Sequence, residues 1–419
     1  MRIALVSYEY PPDTADGGVA TYIYQLARLL LGRGHGVEVF TAGSENAGTE
    51  IEPGGVQVHR VVVEKRGDFG PLIAEVFLKR HQIQPFDVME GVDRFAHCRQ
   101  ILQLIPTLPF VLKLHTPGIV LKEINTMCDY RVPGLSLSER LAIMLKKARR
   151  KWNPYWRWMP TFIRMNILTD SERLHALEAD EIIALCGDMA DLIARLWLID
   201  RSKIQVIPLP FSASPDLLAI QPNSESQTIT YIGRLEYRKG VLDLARAIPL
   251  VLKQIPSARF RLVGRAMKSP DQEKDMQQYL KDWLEPYGDA VEFAGAVPPS
   301  KVPELLKQAD VCVVPSIWEN FPYVVLESMA AARAVVATNT GGMKDIINSP
   351  EVGSLVPPQS PEDLAQAVVA LLEHPAERAR IGAAARARIL ATYDGTKIMP
   401  AIELSYQKAI ERRRQLGPR

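Results

Sequence analysis

The chain has 419 residues, 47% of them hydrophobic and 23% charged, a globular composition too long for one ordinary core and suited to two domains of about 200 residues each. Its net charge of +2 excludes a global nucleic-acid footprint, and the absence of a run of about 18 apolar residues excludes a membrane span. Four cysteines, Cys98, Cys128, Cys186 and Cys312, form no close pair, which argues against a zinc site or a disulfide framework and for a reducing, cytoplasmic setting.

In chain order, residues 3–8 read as a buried strand, too short for a signal peptide and ended by Pro11-Pro12. A loop over 13–18 finishes in Gly17-Gly18. Val19, Ile23, Leu26, Ala27 and Leu30 then mark a helix face, and 37–41 is the next strand. No G-x-G-x-x-G is present, so this is not the dinucleotide fingerprint. The glycine pair is either a plain turn or a place where backbone approaches a ligand closely. Further strands fall at 56–63, 86–90 and 109–114. His115, before Pro117-Gly118, stands at a strand's carboxyl end, where α/β sheets bind ligands; a structural histidine is the other reading. In 146–164, Lys146, Lys147, Arg149, Arg150 and Lys151 are followed by Trp152, Trp156 and Trp158. That composition fits peripheral contact with an anionic membrane or a solvated basic helix with packed tryptophans. A strand at 180–185, a helix at 188–196 and a strand at 204–208 complete the first half, and the proline-rich 207–215 reads as a hinge.

In the second half a strand at 229–232 leads to Gly233-Arg234 and, after a short loop, Lys239-Gly240. Two cations between a strand and a helix can neutralise a diphosphate, although basic loops are common. Strands at 258–263 and 291–294 follow, then Val297. Residues 311–314 form a β-branched strand, a loop spans 315–321, and Pro322 is placed to start a helix that runs to about Ala332. Residues 334–338 are the next strand, before the Gly341-Gly342 turn. Helices at 362–372 and 376–390 end the domain, and Ile398, Ile402, Tyr406 and Ile410 give a last helix one apolar face.

Glu319 and Glu327 have seven residues between them. On one continuous helix they would stand about 12 Å apart. With Glu319 in the loop, both can accept hydrogen bonds from one polyhydroxylated ligand such as a sugar nucleotide; a loop acid and a solvated helix acid is the plain alternative. The Glu319/Glu327 pair, the following Ser328-Met329-Ala330, Gly341-Gly342, and the Gly233-Arg234 and Lys239-Gly240 pairs about eighty residues earlier together resemble the donor-site signature of the retaining GT-B glycosyltransferases of group 1. Sucrose synthase and glycogen synthase are relatives of that family.

The resemblance implies an α/β GT-B fold, two Rossmann-like doubly wound domains facing across a cleft. Residues 1–208 would bind the acceptor and 209–395 the nucleotide-sugar donor, with a helix in 396–419 crossing back onto the first domain. It implies retaining transfer of a hexose-type sugar from a nucleoside diphosphate sugar, a UDP-sugar, to a saccharide or polyprenyl-linked acceptor, in exopolysaccharide or glycolipid assembly, at the inner face of a membrane if 146–164 binds lipid. No cofactor or metal is expected, since cations replace the metal in this family. Carried over by position, Arg234 and Lys239 would hold the diphosphate, and Glu327 the ribose. Glu319, the backbone of Asn320, Phe321, Pro322, Tyr323 and Val324, and His115 would surround the sugar. Gly17 and Gly18 would approach the diphosphate or acceptor, and Val297 the base. The family usually reads Glu-Gly-Phe-Gly where this chain has Glu319-Asn320-Phe321-Pro322; Pro322 donates no N–H, which suggests a changed donor preference. A sugar-nucleotide 2-epimerase, which needs no acceptor, and a non-catalytic sugar-nucleotide binder or assembly protein are the rival readings.

Overall fold

A computed structural model describes residues 1–14, 17–45, 47–127, 167–222, 226–270 and 274–419. Tertiary contacts divide the chain into two units. One holds Met1–Leu121, the described residues of Trp152–Ser212, and Gly395–Arg419; the other is built on Ala213–Asp394. Cys128 and the basic, tryptophan-bearing segment 146–164 lie outside the described residues.

In the first unit, β1 (Arg2–Val6), β2 (Gly36–Gly43), β3 (Gly48–Ile51), β4 (Gln57–Val62), β5 (Val88–Val92), β6 (Phe110–Leu114), β7 (Glu181–Ala184) and β8 (Ile204–Val206) form one sheet in the order β3-β4-β2-β1-β5-β6-β7-β8. Only the short β3 runs antiparallel to its neighbour, β4. Ile3, Ala4 and Leu5 of β1 are all fully buried, as a parallel sheet covered on both faces requires. The helix Gly18–Gly32 buries Ala20, Tyr22, Ile23, Leu26, Ala27 and Leu30. Val19, expected on that face, is only half-buried. Tyr22 is buried there instead, because its hydroxyl finds a carboxylate, Glu90 Oε1, at 2.6 Å. The helix Phe69–Ile83 is missing from the sequence reading, although Phe69, Ile73 and Phe77 bury at helical spacing. The last helix, Gly395–Leu416, packs on this sheet through Ile398, Met399, Ile402, Tyr406 and Ala409. Ile410, expected on the same face, is half-buried.

In the second unit, β9 (Thr228–Ile232), β10 (Arg259–Val263), β11 (Val291–Gly295), β12 (Val311–Val314), β13 (Ala334–Thr338) and β14 (Ser354–Val356) form an all-parallel sheet in the order β11-β10-β9-β12-β13-β14. The chain steps outward from β9 to β11, then returns to lay β12 beside β9. The carboxyl ends of β9 and β12 therefore flank the point where strand order reverses, which is where open α/β sheets bind ligands. In the first unit β1 and β5 flank the equivalent point. The three-residue β14 is too short to show a period and is also missing from the sequence reading.

The helix after β12 begins and ends differently from the sequence expectation. Pro322 is extended (φ −81°, ψ 121°) and caps a helix Tyr323–Ala330 rather than opening it. The helix stops short of Ala332, which adopts a left-handed φ of 54°. Gly382 of the helix Pro375–Thr392 approaches so closely that any Cβ there would collide with the Ala332 carbonyl.

Candidate functional site

The loops after β9 and β12 are locked together through backbone. After β9, Gly233 N donates to Val263 O at 2.9 Å and Leu235 N to Arg265 O at 2.9 Å. A single 3-10 turn, Tyr237–Lys239, then closes on Gly240, left-handed at φ 70°. A Cβ on Gly240 would strike the Pro315 carbonyl of the β12 loop, and Ile317 N donates to Arg238 O at 2.9 Å. Only glycine permits this approach.

That contact delivers the cations to Glu319. Lys239 Nζ donates to Glu319 Oε1, and Arg238 Nη1 stands 3.8 Å from the same oxygen. Burial alone would raise the Glu319 pKa, but Lys239 and then Arg238 outweigh it and hold the carboxyl below its usual range. Glu236 Oε1 accepts from Arg238 at 2.8 Å and pairs with Arg234 Nη2 at 3.1 Å. Three cations thus face two carboxylates, an excess of positive charge on a loop whose Arg234 side chain is 41% exposed. Arg238 lies in the same loop, directly beside Lys239, but is not among the sequence candidates, because the motif carries over Arg234 and Lys239 alone.

On the other side of Glu319, the Gly341-Gly342 turn grips the loop. Gly342 N donates to Asn320 O at 2.9 Å and to Glu319 O at 3.1 Å, and a Cβ on Gly341 (φ 54°) would strike Glu319 O. Asn320, Phe321 and Tyr323 are buried, and the Phe321 ring meets Tyr393 edge-on at 5.4 Å. Phe321 therefore anchors the loop. The helix Tyr323–Ala330 has no side-chain cap and no acid in its first turn, so its positive end is electrostatically open, with the Val324 amide in the first turn. Glu327, on the second turn, is half-buried, and burial pushes its carboxyl up to about 7. Two carboxylates of one stretch are driven apart in proton affinity by their surroundings, one kept ionised and one poised near neutrality. Val297 lies half-buried just beyond β11.

Gly17, Gly18 and His115 belong to the first unit. Gly17 is extended (φ −171°) and caps the helix Gly18–Gly32, which has neither a side-chain cap nor a first-turn acid. Both glycines are exposed, and a Cβ on Gly17 would meet only Glu9 Oε2 at an ordinary 3.6 Å. Among the described residues, packing around Gly17 does not demand glycine. His115 is buried at the end of β6. Its N–H donates to Asp93 Oδ1 at 3.0 Å and its ring packs 5.0 Å from Tyr22. Burial, and after it the charge of Lys113, lowers its pKa to about 3, so the imidazole is neutral at physiological pH. Asp93 is fully buried, and burial pushes it up to about 7. Glu172 accepts from Gly118 N at 2.6 Å and Phe95 N at 3.1 Å. Asp93 and Glu172 thus pin the backbone on both sides of the His115 loop. Neither is in the sequence reading, and no local pattern marks them, because their partners lie 22 and 54 residues away.

The sequence matches the family of glycosyl transferases group 1 over residues 218–388 and glycosyltransferase family 4 over residues 16–213. The chain belongs to the group 1 glycosyltransferases. An uncharacterised glycosyltransferase of Methanocaldococcus jannaschii is 28% identical over 386 residues, covering 88% of each chain. Among solved structures, sucrose-phosphate synthase from Thermosynechococcus elongatus superposes with a TM-score of 0.71 at 22% identity, over 98% of this chain and 99% of that one. Anabaena HepE, solved in complex with UDP-glucose, gives 0.66 at 18% identity, over 97% and 99%. These likenesses establish the GT-B fold. Among the described residues of this glycosyltransferase, no group of three His, Cys, Asp or Glu side chains is arranged to hold a metal ion, and no helix is long and apolar enough to cross a membrane.

Proposed function

We propose that this glycosyltransferase takes a hexose-type sugar from a UDP-sugar and passes it, with retention and without a metal, to a saccharide or lipid-linked acceptor in polysaccharide or glycolipid assembly. The observation that carries the reading is the Arg234–Arg238–Lys239 cluster at the strand-order reversal, beside Glu319 and the uncapped helix Tyr323–Ala330. That is the equipment for a leaving diphosphate. As the bond from C1 to the phosphate oxygen breaks, negative charge grows on the diphosphate, and preorganised cations stabilise it most at that moment. Arg234 can fork onto two oxygens while Lys239 acts as a point charge. Glu327 accepts from the ribose hydroxyls. Glu319, the amides after it and the neutral His115 hold the sugar hydroxyls. The acceptor oxygen bonds to C1 on the face the diphosphate leaves, and its proton passes to the departing phosphate oxygen. The UDP assignment draws on HepE, which shares the fold and was solved with UDP-glucose. Contact of residues 146–164 with an anionic membrane is the corresponding proposal for the acceptor side.

Calorimetric titration with UDP, GDP and ADP, with and without a chelator, tests the donor reading. Binding of UDP that ignores the chelator and is lost in Arg234→Ala is expected. Binding of none of the three would refute the donor site, and chelator-sensitive binding would refute metal independence. Retention is read from the anomeric configuration of the product, and an inverted product overturns it.

A further inference from the structure

Behind His115 the first unit buries a second polar cluster. Glu90 of β5 and Lys113 of β6 are both fully buried. Lys113 Nζ donates to Ile207 O at 3.3 Å and sits 5.5 Å from the centroid of the Tyr22 ring. Glu90 accepts two phenol hydroxyls, from Tyr22 at 2.6 Å and from Tyr406 at 2.8 Å. Tyr22 comes from the first helix and packs its ring against His115. Tyr406 comes from the last helix, 316 residues beyond Glu90 in sequence. Burying a carboxylate and an ammonium is expensive, and apolar residues of the same volume often serve stability as well or better. Stability alone therefore does not account for the cluster.

The geometry does account for it as a brace. A tyrosine has two side-chain torsions, and fixing its hydroxyl at 2.6 Å removes its freedom to swing. With Tyr22 fixed, the ring that packs tilted against the His115 imidazole, 5.0 Å between centroids, is fixed as well, while Asp93 holds the His115 backbone. We propose that Glu90 and Tyr406 are positioning residues for His115. The last helix reaches the sugar-handling histidine through the relay Tyr406–Glu90–Tyr22. This rests on the reading that His115 contacts the donor sugar. A reacting geometry loosened by about 1 Å loses on the order of 100-fold in rate, so a weakened brace acts on turnover and spares nucleotide binding.

Tyr406→Phe and Tyr22→Phe each delete one oxygen and keep the ring, so the core stays filled. The expected result, with UDP-glucose as donor and release of UDP as the signal, is a fall in kcat of about 10-fold with KM for UDP-glucose unchanged. In a His115→Ala background, Tyr406→Phe should have no further effect. A readout that needs no turnover is the His115 ring signal in the histidine-labelled full chain, assigned with His115→Ala: it should shift or split in both Phe variants. Loss of rate in His115→Ala with unchanged kcat in the Phe variants, or an additive double mutant, overturns the brace and leaves the His115 reading standing. An unperturbed His115 signal in both Phe variants overturns the brace without reference to any substrate. A wild-type rate in His115→Ala overturns the His115 reading and the brace together.

Discussion

Glu319 and Glu327 share one functional group and differ in what surrounds it. Glu319 has Lys239 and Arg238 within ion-pair range and stays ionised. Glu327 has only burial acting on it, and its carboxyl is pushed up to about 7. An acid with a raised pKa is protonated below that value, and in the proposed role Glu327 would then no longer accept from ribose hydroxyls with full charge. Diphosphate affinity is therefore expected to fall as pH drops from 8 to 6, and Glu327→Gln should flatten that slope while binding more weakly at pH 8. Calorimetry across pH reads both, and a slope that survives in the variant assigns the titration to another group. Asp93 offers a matching test on stability. Its folded pKa is raised from 3.8 to about 7, so its contribution is fully present below about pH 3.8 and is lost as pH rises through about 7. Asp93→Asn removes this titration. The denaturation midpoint of the variant relative to the parent should rise between pH 4 and 7, and a pH-independent difference would contradict the assignment.

At the scale of elements, the site depends on loops that touch through glycine. Gly240 combines a left-handed φ with a carbonyl where its Cβ would be. The left-handed conformation alone costs about 1–2 kcal/mol for an alanine, and relieving the collision would separate the β9 loop from the β12 loop. Gly240→Ala is expected to lose at least that much in urea denaturation and also to weaken diphosphate binding, because Arg238 and Lys239 move with the turn. A destabilised variant that binds normally would show that the cations do not rely on this approach. The same logic explains Gly341-Gly342 against Glu319 and Asn320. Pro322 shows what an element boundary can hide. Proline suits the first helical position in general, yet here the preceding loop, gripped by the glycine turn and by Phe321 on Tyr393, makes it the extended cap.

At the scale of the molecule, the last helix completes the first unit. Its own Ile398, Met399, Ile402 and Tyr406 are buried, and fully burying one such side chain contributes about 1.5–3 kcal/mol. Together that is comparable to the roughly 5–15 kcal/mol that stabilises a whole domain. Arg413 and Arg419 also pair with the buried Asp180, and removing the partners of a buried charge is strongly destabilising. A chain ending at Asp394 is expected to lose the cooperative unfolding transition of its first unit in calorimetry. An unchanged transition would make the helix an accessory.

The sequence by itself determined the class of fold and the central strands, and its motifs marked Arg234, Lys239, Glu319 and Glu327 as candidates. These are local properties: apolar runs such as residues 311–314 have one structural reading between turn signals, and a motif of fixed spacing survives without knowledge of its surroundings. It missed β14 and the helix Phe69–Ile83, the former because three residues carry no period. Only the tertiary structure decided which charges meet. Arg238 joins Glu319 because Gly240 lets two loops touch, Asp93 reaches His115 across neighbouring strands, and Tyr406 reaches Glu90 from the far end of the chain. Spacing in sequence carries no information about such distances, since proton affinity and ion pairing depend on burial and on partners brought together only when the strands have taken their order in the sheet.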